Sequence, residues 1–179
     1  AIVERLGHKT KIVDPYLLDE YATKGLNMNL YDTIIEEFKP DIIGFGGIAT
    51  SYGRAKEFSL HFNQRYPEII QIAGGPLASV YELLLTHTKV DAVIHGEGEI
   101  SLPILLGRFE HKKTIHDVPG ISYLMDGKVV RNSPAEQVKN LDENPLPDYH
   151  LIDITQYLQN IQDWFNQFAR SLHGHKLVD

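Results

Sequence analysis

Apolar residues recur along this chain in two alternating rhythms. Residues 1–6 read as the last turns of a helix with Gly7 as its cap, and 10–14 as a short strand. Leu30, Ile34, Ile35 and Phe38 then fall at helical spacing, and Pro40 ends that segment. The run 41–45 (DIIGF) reads as a buried strand followed by a small-residue loop. Residues 54–66 read as an amphipathic helix stopped at Pro67, 69–73 as a strand, and 80–86 as a helix. Residues 90–95 read as a strand, and 101–109 as a helix with Pro103 in its first turn, where proline is tolerated. Strands separated by helices of this length predict βαβ units and an α/β fold with a mostly parallel sheet. The apolar strand interiors predict a sheet covered on both faces, hence three layers.

The rhythm changes after residue 112. Residues 120–124 and 128–131, joined by Asp126-Gly127, read as a β-hairpin. Residues 133–149 hold Pro134, Pro145 and Pro147 among mixed charges and read as a linker. A last helix over 155–172 carries Leu158, Ile161, Trp164, Phe165, Phe168 and Leu172 on one stripe. That stripe needs a partner, either in this domain or in one beyond the end. The expected division is an α/β domain over 1–112, a hairpin and linker over 113–150, and an amphipathic helix over 151–179. A domain rarely begins at the end of a helix, so the chain reads as lacking an upstream segment.

Composition narrows the function classes. With 179 residues, 42% of them hydrophobic, the chain can bury one ordinary core plus an appendage. A formal charge of −7 and no cluster of Lys and Arg argue against a nucleic-acid surface. There is no apolar run long enough to span a membrane and no secretory pattern at the start, so a cytoplasmic protein is expected. Cysteine is absent, which removes disulfides, thiolate metal sites and any cysteine-ligated iron–sulfur cluster within this chain.

On an open parallel sheet, ligands bind outside the carboxyl ends of the strands. Three small-residue loops are expected there. The first holds Gly46, Gly47, Ala49, Thr50 and Ser51; the second Gly74, Gly75 and Pro76; the third Gly96, Glu97, Gly98 and Glu99. Glycine lets a ligand approach the backbone, and loop amides can bind anionic groups. Strand-to-helix turns also use glycine for purely structural reasons, so the residues alone support both readings. Glu97 and Glu99 alternate within a turn and do not make a straddling carboxylate pair; a turn-stabilising or ligand-edge role suits them better than catalysis. His95, at a strand end, reads as a satisfied edge histidine before a ligand contact. His173 and His175 read as part of a terminus and not as a metal site. No P-loop, dinucleotide fingerprint or Ser–His–Asp set is present, and neither a catalytic residue nor a metal ligand is assigned.

The ordered strings 41–55 (DIIGFGGIATSYGRA), 72–79 (IAGGPLAS), 90–102 (VDAVIHGEGEISL), 120–132 (GISYLMDGKVVRN) and 141–153 (LDENPLPDYHLID) together resemble the N-terminal half of cobalamin-dependent radical SAM proteins. That group includes enzymes like the anaerobic magnesium-protoporphyrin ester cyclase and methyltransferases. The resemblance covers nearly the whole chain. It implies a flavodoxin-like, Rossmann-type fold with cobalamin across the strand ends. The nucleotide tail would run along the loops at 46–51 and 74–75, and the 96–99 turn would border the corrin-facing edge. It further implies a downstream radical SAM domain, absent here, that binds S-adenosylmethionine and an iron–sulfur cluster. The chain by itself would then be a non-catalytic, cobalamin-holding module.

Several positions depart from the family pattern. The usual first strand is missing, which predicts a gap beside the 41–45 strand. The strand order would have to rearrange, another segment insert, or a second copy supply pairing as a homodimer. Gly46 stands where serine is frequent, Ala49 where threonine is frequent, and Leu77 where histidine is common. No D-x-H-x-x-G motif occurs, so no protein histidine on cobalt is expected. The alternative to the cofactor module is a degenerate α/β interaction module that docks a partner through its last helix. A stand-alone enzyme acting on a phosphorylated small molecule ranks last, because only Glu97, Glu99, Thr50 and Ser51 could serve it.

Overall fold

A computed structural model describes residues 1–15 and 27–174. In chain order its helices are α1 (Ile2–Arg5), α2 (Met28–Phe38), α3 (Tyr52–Arg65), α4 (Tyr81–His87), α5 (Gly98–Glu110) and α6 (Ile154–Gly174). The strands are β1 (Ile42–Phe45), β2 (Ile70–Ala73), β3 (Ala92–Ile94), β4 (Ile121–Met125) and β5 (Lys128–Arg131). The chain divides into two compact units. One is Asp32–Pro145 together with Ile2, and the other is Ala1, Val3–Tyr31 and Leu146–Asp179.

The larger unit is built on one five-stranded sheet in the order β1-β2-β3-β4-β5. β1, β2 and β3 run parallel, and the β4–β5 hairpin adds to β3 antiparallel. Side chains alternate between the two faces of the short strands, as a period of two requires. Ala73 and Val93 join Ala55 of α3 and Leu84 and Leu85 of α4 in one core cluster. Ile72, Ala92 and Ile94 join Leu105 of α5, Val118, Ile121 and Tyr123 in the other. Helices thus cover both faces, and the fold is the three-layer α/β arrangement expected from the apolar strands. The hairpin forms at Asp126-Gly127 as its sequence predicts, with both residues at positive φ. Asn132 fixes it further by donating from Nδ2 to the Val118 carbonyl at 2.7 Å.

A polar clasp ties α2 to α3. Asp32 is buried, and its carboxylate meets His61 Nε2 at 2.9 Å and Arg65 Nε at 3.3 Å. Tyr66, just past α3, donates its hydroxyl to Glu36 of α2 at 3.2 Å. Burying a carboxylate is tolerated when both of its oxygens are matched in this way.

In the smaller unit, Tyr157 of α6 donates its hydroxyl to Asp14. His150 lies 3.6 Å from Glu4 of α1.

Three expectations need correction. Residues 10–14 form no strand, since a strand requires a ladder and this segment finds none among the described residues. The 41–45 run is not fully buried: Ile42, Ile43 and Phe45 are half-buried and Gly44 is exposed. The reason is topological. β1 is the edge strand, so the sheet keeps its order with an open side and no interior gap, and no strand among the described residues pairs there. Pro103 is the sixth residue of α5, not part of its first turn, because the helix begins at Gly98 inside the glycine turn. Proline there forfeits one backbone bond, to the Glu99 carbonyl.

Two substitutions test this packing. Gly120 has φ +71°, and a Cβ added to it would meet Ser101 Oγ at 2.5 Å and Ala135 Cβ at 3.0 Å. Gly120→Ala should therefore lower stability by about 2–4 kcal/mol, from the left-handed backbone and the overpacking together, as read by denaturant unfolding. Asp32→Ala removes the His61 acceptor and leaves Arg65 with only the Glu36 carboxylate, and should cost about 2 kcal/mol in the same measurement.

Candidate functional site at the strand ends

The parallel register sets the site. Phe45 lies beside Ala73, and Ala73 beside Val93, so the chain leaves β1, β2 and β3 at the same edge. After β1 come Gly46, Gly47 and Ile48, then a 3-10 turn (Ala49–Ser51) that opens α3. After β2 comes Gly74, then a longer 3-10 turn (Gly75–Val80) that opens α4. After β3 come His95, Gly96 and Glu97, with α5 starting at Gly98. The first two turns pack against each other, and the Gly74 amide donates to the Phe45 carbonyl at 3.0 Å. The third loop is held from the other side, where the His95 amide donates to the Gly120 carbonyl at 2.8 Å.

Gly46, Gly47, Ala49 and Thr50 are exposed and Ser51 is half-buried. Gly75, Pro76, Gly96 and Glu97 are exposed, while Gly74, Gly98 and Glu99 are half-buried. A Cβ built on Gly46, Gly75, Gly96 or Gly98 would meet nothing within 4 Å. The edge is thus an uncovered shelf on which a ligand can approach backbone directly. Gly75 adopts φ +64°, so a side chain there would strain the turn as well as fill the shelf. A hollow of about 290 Å³ beside the second loop is lined by Ser79, Val80, Tyr81, Glu82 and Leu83. That volume sits at the low end for ligand pockets, so a large ligand would lie over the edge and not inside it.

The two carboxylates of the third loop have structural roles. Glu97 Oε2 accepts from the Val138 amide at 3.1 Å and ties the segment after the hairpin to this turn. Glu99 sits in the first turn of α5, where a carboxylate complements the helix dipole. The side chain of His173 and all of His175 lie outside the described residues.

A cluster that no local spacing announces lies next to the edge. His95 Nε2 meets the buried Ser122 hydroxyl at 2.7 Å. Tyr81 of α4 sits edge-on to the His95 ring at 5.0 Å, and the Arg131 guanidinium lies over the Tyr81 ring at 5.4 Å. Burial, reinforced by the nearby charge of Arg131, holds the His95 pKa below its usual value. His95 is therefore a satisfied edge histidine, committed to Ser122 and covered by Tyr81.

No protein-family model matches the chain. Among curated proteins, an uncharacterized methyltransferase of Pyrococcus horikoshii is 28% identical over 159 residues, covering 88% of this chain and 33% of its own length. The anaerobic magnesium-protoporphyrin IX monomethyl ester cyclase of Synechocystis is 25% identical over 65% of this chain and 23% of its own. The cobalamin-dependent radical SAM methyltransferase TokK of Streptomyces tokunonensis is 28% identical over 65% of this chain and 17% of its own. The chain is a homologue of cobalamin-dependent radical SAM proteins. It spans about a third or less of the length of these relatives. The fold agrees. The radical SAM methyltransferase TsrM from Kitasatospora setae, solved with cobalamin and a [4Fe-4S] cluster, matches 82% of this chain and 27% of its own at a TM-score of 0.60 and 16% identity. The cobalamin-dependent radical SAM enzyme OxsB, solved with aqua-cobalamin, matches 66% of this chain and 17% of its own at 0.54 and 23% identity.

Against the pattern of cobalamin-dependent radical SAM proteins, Leu77 is a telling departure. It is fully buried and packs in the cluster with Ala73, Leu84 and Val93. Where the family resemblance leads one to look for histidine, this chain has a core residue.

The His95 environment gives a pH prediction. Its folded pKa lies below the unfolded value near 6.5, so the unfolded chain binds the extra proton first. The stability contributed by neutral His95 is complete above about pH 6.5 and falls as the pH drops through the lowered value. Thermal melts from pH 7.5 to 5 should show a steeper loss for the wild type than for His95→Gln, which keeps a partner for Ser122.

Proposed function

We propose that the chain is a cobalamin-binding module, holding the cofactor across the carboxyl ends of β1, β2 and β3. The observation that carries this reading is the open shelf over Gly46, Gly75, Gly96 and Gly98, set at one edge by the parallel register. The groups on its loops suit the cofactor: exposed glycine backbone, the exposed Thr50, the half-buried Ser51, and the start of α5. These are neutral or weakly positive, appropriate to amide side arms and a phosphodiester tail. Gly46, Gly47, Ala49, Thr50 and Ser51 would border the tail with Gly74, Gly75 and Pro76. Gly96, Glu97, Gly98 and Glu99 would border the corrin. His95 is engaged with Ser122, so this reading leaves cobalt without a histidine from the strand ends.

When bound, cobalamin supplies methyl-transfer chemistry or assistance to radical chemistry. The residues here bind and orient it. Partner chemistry would come from a radical SAM domain of a longer parent chain, an oxidoreductase or methyltransferase that supplies S-adenosylmethionine and the iron–sulfur cluster, since these 179 residues contain no cysteine to ligate one. No helix among the described residues is long and apolar enough to cross a membrane. The proposed setting is the cytoplasm, without nucleic acid or membrane as a partner, and with the chain self-associating as a homodimer.

A second reading, a degenerate interaction module, is favoured by the exposed apolar side chains of α6. Titration with hydroxocobalamin, read by visible absorption and by co-elution in gel filtration, separates the two. Pigment should co-elute with the chain. Gly46→Leu, which fills open space without backbone strain, should weaken binding at least about tenfold (about 1.4 kcal/mol) and leave the melting temperature unchanged. Absence of any binding would reject the cofactor module in favour of the interaction module.

A further inference from the structure

The chain after the hairpin stays fastened to the third loop. The Ser133 carbonyl accepts from the Gly120 amide at 2.7 Å, and the Gly120 carbonyl accepts from the His95 amide at 2.8 Å. Further on, the Val138 amide donates to Glu97 Oε2 at 3.1 Å. The segment is therefore tied twice to the loop that follows β3, through Gly120 beside His95 and directly at Glu97. Ala135 and Val138 are half-buried, whereas Pro134, Glu136, Gln137 and Lys139 are exposed. A turn follows, in which Asn140 Oδ1 accepts from the Asp142 amide at 3.1 Å. Residues 133–140 thus form a strap on two footholds, Ala135 against Gly120 and Val138 at Glu97.

The strap uses one oxygen of Glu97. Oε1 has no hydrogen-bond partner among the described residues, and Glu97 is exposed. A carboxylate accepts at both oxygens at once, so a ligand N–H can engage Glu97 without breaking the bond to Val138. The two contacts then reinforce each other. The strap holds the carboxylate in one orientation, which removes part of the cost of ordering it for a ligand. A ligand on Oε1 in turn holds the strap down, because linkage between two contacts is reciprocal. Such an acceptor selects amide N–H donors, which a corrin carries on its side arms, and repels carboxylate groups.

We infer that residues 133–140 are a latch for the third loop: the Val138 amide positions Glu97 for a side-arm amide of a corrinoid, and an occupied loop holds the strap in place. The inference rests on the cobalamin reading above and adds a positioning residue, Val138, and a segment whose opening reports occupancy. Lys139 supplies the readout. Trypsin cutting after it requires the strap to lift, and the rate follows the lifted population. Saturating hydroxocobalamin should slow that cut at least about fivefold. Cutting after the exposed Lys113, beyond the opposite end of α5, is the internal reference and should keep its rate. Val138→Pro removes the donor. It should abolish the protection at Lys139, leave the Lys113 cut at the wild-type rate, and raise the dissociation constant for hydroxocobalamin by the same factor. Val138→Ala keeps the amide and should match the wild type in both measurements. Pigment that binds without slowing the Lys139 cut, protection equal at Lys113, or a Val138→Pro chain that binds as tightly as the wild type would each overturn the latch and leave the cobalamin reading intact. No binding by the wild type would overturn both.

Discussion

Covering both faces of two short strands is the constraint on which this structure depends. β2 and β3 have four and three residues, and neither could hold its place through ladder bonds alone. Ala73 and Val93 bury one face under α3 and α4, while Ile72, Ala92 and Ile94 bury the other under α5. That burial fixes the strand direction and register, and the register brings the three glycine loops to one edge. The β4–β5 hairpin serves the same constraint from the side, giving β3 a second neighbour so that its backbone is paired on both edges.

Much of this was legible in the sequence because it depends on local rules. DIIGF, the helix stripes and Asp126-Gly127 each carry their own signal, in period or turn chemistry. Residues 10–14 read as a strand because short apolar runs look alike whether or not a neighbour exists to pair with them. The half-exposure of β1 is not written in its own residues, since edge position is a property of the sheet; only the missing first strand pointed to an open side there. The start of α5 was misjudged because Gly98 and Glu99 read as loop residues, yet they wind into the helix ahead of Pro103.

At the site, the glycine loops were legible and the side-chain chemistry beside them was not. His95, Tyr81, Ser122 and Arg131 are far apart in sequence. They meet because β3 pairs Val93 with Ser122, and β4 pairs Ser122 with Arg131. Antiparallel register of that kind leaves no trace in spacing. Glu97 is similar: its bond to Val138 spans 41 residues, so a carboxylate of the third loop also tethers the segment after the hairpin. What remains on the shelf is mostly backbone, consistent with a module that positions a cofactor and leaves reaction chemistry to other groups.

Leu77 adds a consequence of a different kind. It belongs to the 3-10 turn at the shelf, yet its side chain is fully buried with the main core. A surface loop ordinarily opens by itself at little cost, with its amides exchanging quickly. This one cannot lift without extracting a core leucine, so its amides should be protected along with those of β2 and α4, whose Ala73 and Leu84 share that core. A ligand resting on that turn would therefore meet a surface anchored in the core, and loosening the core near Leu84 would be felt at the shelf as a loss of preorganisation.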